Sequence, residues 1–271
     1  MTNKTIRRFC AAAAVSLFGL AAGQANAGLY DFTWHTDGGA SPSGSGLQFT
    51  GNDGMGNNSV LKARAYATSN DNGSGDFISR TLAVYSGGLG VNCGTCSSDP
   101  NSSPNHSLDN VGRNDVILFE FASANYDPTS VSIGWHQTDS DVEVWVGGNG
   151  IAAGWNLAQT SGNLACPGGG ACDRNEILGT LGFTLVTSGL DDLHTKTNGT
   201  AAINTTATGR YMIVAGRFNG SDEDDYIKID KLTASFRQPP NGVPEPGALG
   251  LLGLGLAALG WSRRRARQKS A

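Results

Sequence analysis

The residues of this 271-residue chain best able to do chemistry are carboxylates, cysteines, tryptophans and four histidines. The densest acidic run is Asp222-Glu223-Asp224-Asp225, which follows Asn219-Gly220-Ser221. A hard cation such as Ca²⁺ takes about six to eight oxygens, several of them carboxylates on flexible loops. Asp222, Asp224 and Asp225 are therefore candidate Ca²⁺ ligands. Asp139, Asp141 and Glu143 alternate along another stretch and could add oxygens if the fold brings them near. The competing reading is a solvated acidic loop, or turns built on Asx side chains. No EF-hand or nonapeptide calcium pattern is present.

Cys93, Cys96, Cys166 and Cys172 lie in the body of the chain and Cys10 near its start. An even number in an exported chain points to two disulfides, and three pairings are open. Cys93-Gly-Thr-Cys96 has redox spacing but sits among loop residues rather than at a strand-to-helix turn. A four-cysteine zinc site would have a loose second spacing. His35, His106, His136 and His194 fall in different expected elements, so structural or surface roles are expected of them. No Gly-x-Ser-x-Gly elbow and no His-Glu-x-x-His motif occurs, and no enzyme is expected. Trp145 has the parity opposite to Val142, Val144 and Val146. Facing solvent it would stack on a sugar ring; the alternative is core packing or cover by a second sheet.

Strands must position these groups. Tyr30, Phe32 and Trp34 alternate on one face, and Gly44–Thr50 fits a short second strand. Val60–Thr68, Phe77–Ser86, Thr180–Val186 and Arg210–Phe218 follow the same period. Val116–Phe121 is almost continuously apolar and predicts a central strand. Val131–Trp135 and Val142–Val146 flank Thr138-Asp139-Ser140-Asp141 and predict a hairpin, with Glu143 and Trp145 outward. In Tyr226–Phe236 the apolar parity changes from Ile227 and Ile229 to Leu232, Ala234 and Phe236, which predicts a β-bulge near Asp230-Lys231. Asp173–Leu178 and Leu190–Lys196 are long enough for one or two helical turns each. About ten short strands with turn signals predict an all-β fold, an antiparallel β-sandwich of jelly-roll or lectin-like type.

The two ends read differently from the body. Lys4, Arg7 and Arg8, the apolar Phe9–Ala22 and Ala25-Asn26-Ala27 predict a signal peptide over residues 1–27, exported by the Sec translocon and cut by signal peptidase. Residues 28–238 then form the β-domain. Only 15% of the chain is charged. Residues 1–27 and 247–271 hold eight cations and no acid, so without them 11 basic residues face 23 acidic ones, a net charge of −12. That argues against nucleic acid and anionic membrane surfaces as partners.

Residues 239–271 are linker and tail. Gln238-Pro239-Pro240-Asn241-Gly242 is too proline-rich to continue a strand. Val243-Pro244-Glu245-Pro246 cannot be helical and stays extended. The uncharged run 247–261 would be about 22 Å long as a helix, against about 30 Å of bilayer core. It is short for a permanent span. Trp261 suits an interface, and Arg263, Arg264, Arg265 and Arg267 within residues 262–271 would stop on the cytoplasmic side.

The order Val-Pro-Glu-Pro, short apolar helix and arginine-rich end resembles the PEP-CTERM sorting signal of Gram-negative bacteria. The resemblance covers residues 243–269. It implies an exosortase in the inner membrane that processes the tail near the motif and passes the protein to the cell surface or extracellular matrix. The chain as a whole is thus expected to be a non-enzymatic exported protein with envelope or exopolysaccharide partners. The alternative is a sugar- or Ca²⁺-binding lectin or adhesin module. The body is loosely similar to such modules in its strands and acidic loops.

Overall fold

The computed structural model describes residues 28–34, 43–44, 46–92, 106–148, 151, 153, 155, 162–167, 169–186, 189–218 and 224–237. Fourteen strands occur among them: β1 (Leu29–Thr33), β2 (Ser43–Gly44), β3 (Leu47–Asn52), β4 (Asn58–Thr68), β5 (Phe77–Tyr85), β6 (Gly88–Asn92), β7 (Leu108–Asp109), β8 (Asp115–Phe121), β9 (Tyr126–Thr138), β10 (Val142–Gly147), β11 (Thr184–Val186), β12 (Thr200–Ala202), β13 (Tyr211–Gly216) and β14 (Asp225–Phe236). The helical content among the described residues is short. A π-turn spans Glu176–Thr180, and 3₁₀ turns span Leu193–Thr195 and Thr197–Gly199. Both helical segments expected from the sequence therefore form.

All fourteen strands join one antiparallel hydrogen-bonded sheet. Its path runs β11-β10-β13-β8-β4-β3-β1-β14-β6-β5-β2, and β5 also pairs with β4. The pairing thus returns on itself through β4, β3, β1, β14, β6 and β5. Two strands serve as hubs. β4 pairs with β8 along Leu61–Ala67, and also with β3 and then β5. β14 pairs with β9 over its whole length, and on other pairings with β7, β6 and β1 in succession.

The larger core lies within this loop of strands and includes Phe32, Leu61, Phe119, Val144, Ile229 and Leu232. Trp34 is held there by an indole N–H bond to the Ile229 carbonyl and stacks on Phe119 at 5.9 Å. A second cluster covers the other face of β8, β10 and β13. Val116, Leu118, Trp145, Tyr211 and Ile213 pack there against Phe77, Leu164, Ile177 and Phe183. β8 and β10 are consequently buried at every residue. That explains the unbroken apolar run of β8.

The bulge expected in β14 is present. Its register against β9 shifts between Ile229 and Lys231, and burial passes from Ile227 and Ile229 to Leu232 and Ala234. The hairpin expected around Thr138–Asp141 does not form. β9 pairs with β14 and β12, whereas β10 pairs with β13 and β11. The tetrapeptide is a crossover that leaves one part of the sheet and enters another. Its polar residues satisfy that corner instead of a two-strand turn.

Phe119 is fully buried between the hub strands' side chains, while Leu29 is 53% exposed. Phe119→Ala should cost about 3–5 kcal/mol of unfolding free energy, and Leu29→Ala less than about 0.5 kcal/mol. Denaturant unfolding of the two variants checks the assignment; similar losses for both would contradict it.

Candidate functional site

The Thr138–Asp141 crossover meets the start of β14, the end of β13 and the 3₁₀ turn at Leu193. Thr138 is in the left-handed region (φ 57°), which turns the chain sharply enough for the crossover. Its hydroxyl donates to the Asp224 carbonyl at 2.5 Å, and the Asp139 N–H donates to the same oxygen at 3.3 Å. Asp225 is fully buried. Its carboxylate accepts from the Asp141 N–H at 2.6 Å, the Asn110 amide at 2.7 Å and the Arg217 N–H at 3.1 Å. The Asp141 carboxylate accepts from the Asp192 N–H at 2.7 Å and from the Arg217 guanidinium at 2.6 Å. The same guanidinium nitrogen reaches Asp191 at 2.7 Å.

Carboxylate oxygens of Asp139, Asp141 and Asp225 lie within 4.8 Å of one another. Burial drives the Asp225 carboxyl up to about 8, and the charges of Asp141 and Asp139 add to this; the N–H donors of Asp141 and Arg217 oppose it. Asp139 is also raised, by burial first, with Asp141 and Asp192 contributing. The Arg217 guanidinium is raised chiefly by its hydrogen bond to Asp141. Chemically, this corner can hold a proton among its carboxylates or take a hard cation.

The sequence expectation of ligands at Asp222, Asp224 and Asp225 changes accordingly. Asp222 lies outside the described residues. Asp224 is exposed and contributes its backbone carbonyl, while Asp225 turns inward. The fold does join Asp225 to Asp139 and Asp141. It does not add Glu143, which ion-pairs with Arg174 at 3.3 Å on the other side of β10. Asn110 and Arg217 were not legible as members, because their partners are remote in sequence.

His136 and His194 stack with ring centres 4.5 Å apart. His136 is lowered by burial and then by His194. The Ser140 hydroxyl lies 2.7 Å from His194 Nδ1 and accepts the His194 backbone N–H at 2.9 Å. Ser140 is fully buried, so its oxygen orients the imidazole and is closed to a substrate. His106 stands apart, stacked on Tyr85, and His35 lies outside the described residues.

Trp145 is not a sugar platform. It is fully buried, donates to Glu143 at 3.1 Å and lies under the Arg174 guanidinium at 5.7 Å. The segment from Leu164 to Phe183 covers the face that the sequence left open. Cys166 and Cys172 form a disulfide within that cover, one of the local pairings the sequence allowed. Cys93 and Cys96 lie outside the described residues.

Residues 242–265 carry the PEP-CTERM protein-sorting motif. The match contains Val243, Pro244, Glu245 and Pro246, the apolar run, and Arg263, Arg264 and Arg265. The motif implies processing by an exosortase and an exported, surface-directed protein. No curated protein and no solved structure matches the chain. The motif and residues 1–27, where the sequence predicts a signal peptide, lie outside the described residues. Among the described residues no helix is long and apolar enough to cross a membrane.

Trp145→Ala should destabilise the fold by about 3–5 kcal/mol through the cavity it leaves, with no selective loss of any sugar binding; melting and glycan-binding measurements on one preparation separate the two. The raised Asp225 carboxyl makes a second prediction. Between the ordinary value of 3.8 and about 8 the folded state binds a proton that the unfolded chain does not. Its stabilisation is complete below 3.8 and is lost as pH rises toward 8. Asp225→Asn cannot ionise, so its stability should fall less steeply between about pH 5 and pH 8 than that of the native chain. Equal slopes in thermal melts would refute the assignment.

Proposed function

We propose that this chain is a non-enzymatic surface or extracellular-matrix protein of a Gram-negative envelope, exported by the Sec translocon and trimmed by signal peptidase. Exosortase then processes the tail near Val243–Pro246. The carrying observation is the PEP-CTERM motif at residues 242–265. Physical features of the sequence support it: a rigid proline-bracketed acid, a run too short for firm anchoring and a block of arginines act together only beside a membrane. The body would be a two-layer β-sandwich that presents an acidic surface to envelope or exopolysaccharide components.

A second reading is a Ca²⁺-binding adhesin or lectin module. The convergence of Asp139, Asp141 and Asp225 favours it. Calcium would displace the proton that Asp225 holds, so calcium stabilisation would grow with pH. On the first reading calcium leaves the melting temperature unchanged at every pH.

The sorting role has a direct test. In the native host, replacing Pro244, Glu245 and Pro246 with alanine should leave export intact and block tail removal. Intact-mass measurement of the recovered protein reads both termini. A variant trimmed like the native chain would overturn the reading.

A further inference from the structure

We propose that Asp139, Asp192 and His194 form a binding site for a divalent transition-metal ion of the zinc class. One ligand atom from each of Asp139, Asp192 and His194 lies within 4.8 Å of the others. Zinc bonds of about 2.0–2.2 Å place ligand atoms roughly 3.3–3.6 Å apart around one tetrahedral ion. Asp192 and His194 are exposed and Asp139 half-buried, so small side-chain rotations close the difference.

Three further observations point to this chemistry. First, the cation of the corner is committed elsewhere. Arg217 engages Asp141 and Asp191, and among the described residues no ion pair reaches Asp139 or Asp192. Their carboxyl groups face one another and share a hydrogen bond, so an ion bound there would take the place of that proton. Second, His194 is oriented by a second sphere. The buried Ser140 hydroxyl bonds Nδ1 and the backbone N–H of the same residue, which fixes the ring and offers Nε2 to an ion, the arrangement that supports metal-ligating histidines. Third, His136 on β9 stacks face to face on the His194 ring and helps hold it in place. Imidazole nitrogen with carboxylate oxygen suits zinc and its neighbours, whereas Ca²⁺ takes oxygen alone. Three protein ligands also leave a position for water.

The site differs from the Asp139, Asp141 and Asp225 corner in everything but Asp139, and it stands whether or not the tail is processed. A bound ion would add to the hydrogen bonds that already tie the β9–β10 crossover to the 3₁₀ turn.

The test is isothermal titration of the chelator-stripped full chain with Zn²⁺, paired with Co²⁺ absorption as a reporter of imidazole ligation. One ion should bind, with tetrahedral cobalt bands. His194→Ala and Asp192→Asn, both at exposed positions of a short turn, should abolish saturation. Ser140→Ala should weaken binding about 10–100-fold by freeing the ring. His106→Ala, remote from the site, should bind as the native chain does. Binding that survives His194→Ala, or is lost equally in His106→Ala, overturns the proposal, as does the absence of any saturable Zn²⁺ heat in the native chain. A response to Ca²⁺ that disappears in Asp225→Asn but persists in His194→Ala would belong to the acidic corner, and without the zinc result it would count against this site.

Discussion

Strand β14 is hydrogen-bonded along both edges, and the rest of the architecture depends on that double engagement. β9 holds one edge from Asp225 to Phe236. The other is shared by β7 at two residues, β6 at one and β1 at five. An interior strand has no unpaired backbone to expose, but it must also bury apolar side chains throughout its length. β14 does so by changing parity once. The irregularity near Asp230 lets Ile227 and Ile229, and then Leu232 and Ala234, face the same core. Without the shift, half of those side chains would point at the wrong layer.

The same constraint builds the polar corner. At the start of β14, Asp225 is carried below the surface by its strand and has to find donors there. Asn110 after β7, Arg217 after β13 and Asp141 before β10 supply them. These groups come from four separate parts of the chain. A buried carboxylate with several donors fixes where those segments end. It also remains costly to ionise beside Asp139 and Asp141. The corner is therefore both a structural clasp and the place where added positive charge has the greatest electrostatic effect.

What could be read beforehand follows from how local each determinant is. The central position of β8 and the bulge in β14 are written in consecutive side chains, so period and parity disclose them. β6 escaped notice because Gly88 and Gly90 carry no pattern. They are glycines because a Cβ there would collide with the Ile229 carbonyl region and the His106 carbonyl. The false hairpin had the opposite cause. Thr138-Asp139-Ser140-Asp141 has turn composition, yet β10 is covered on both faces, which an outer hairpin arm would not be. The cover comes from residues 162–183, and nothing near Trp145 in sequence announces it. The same holds for the stacked imidazoles. His136 and His194 meet only because β9 and the 3₁₀ turn share a corner, so scattered histidines became neighbours. Asp139 and Asp141 were legible as oxygen donors for Asp225, since acidic residues in two loops invite that question; the guanidinium that pairs with Asp141 was not.

The position of the sorting motif gains meaning from the strand before it. β14 ends at Phe236, and the motif begins at residue 242. Only a proline-rich linker separates the motif from the strand whose ladder with β9 is the longest among the described residues. Tension applied through that linker would run along the β14 axis and load its ladders on β9 and β1 in shear. Many hydrogen bonds would then have to fail together, whereas a strand pulled from a sheet edge opens them one at a time. The Lys231–Asp31 ion pair at 3.1 Å and the Thr233–Asp31 bond at 2.9 Å brace the same region across β1.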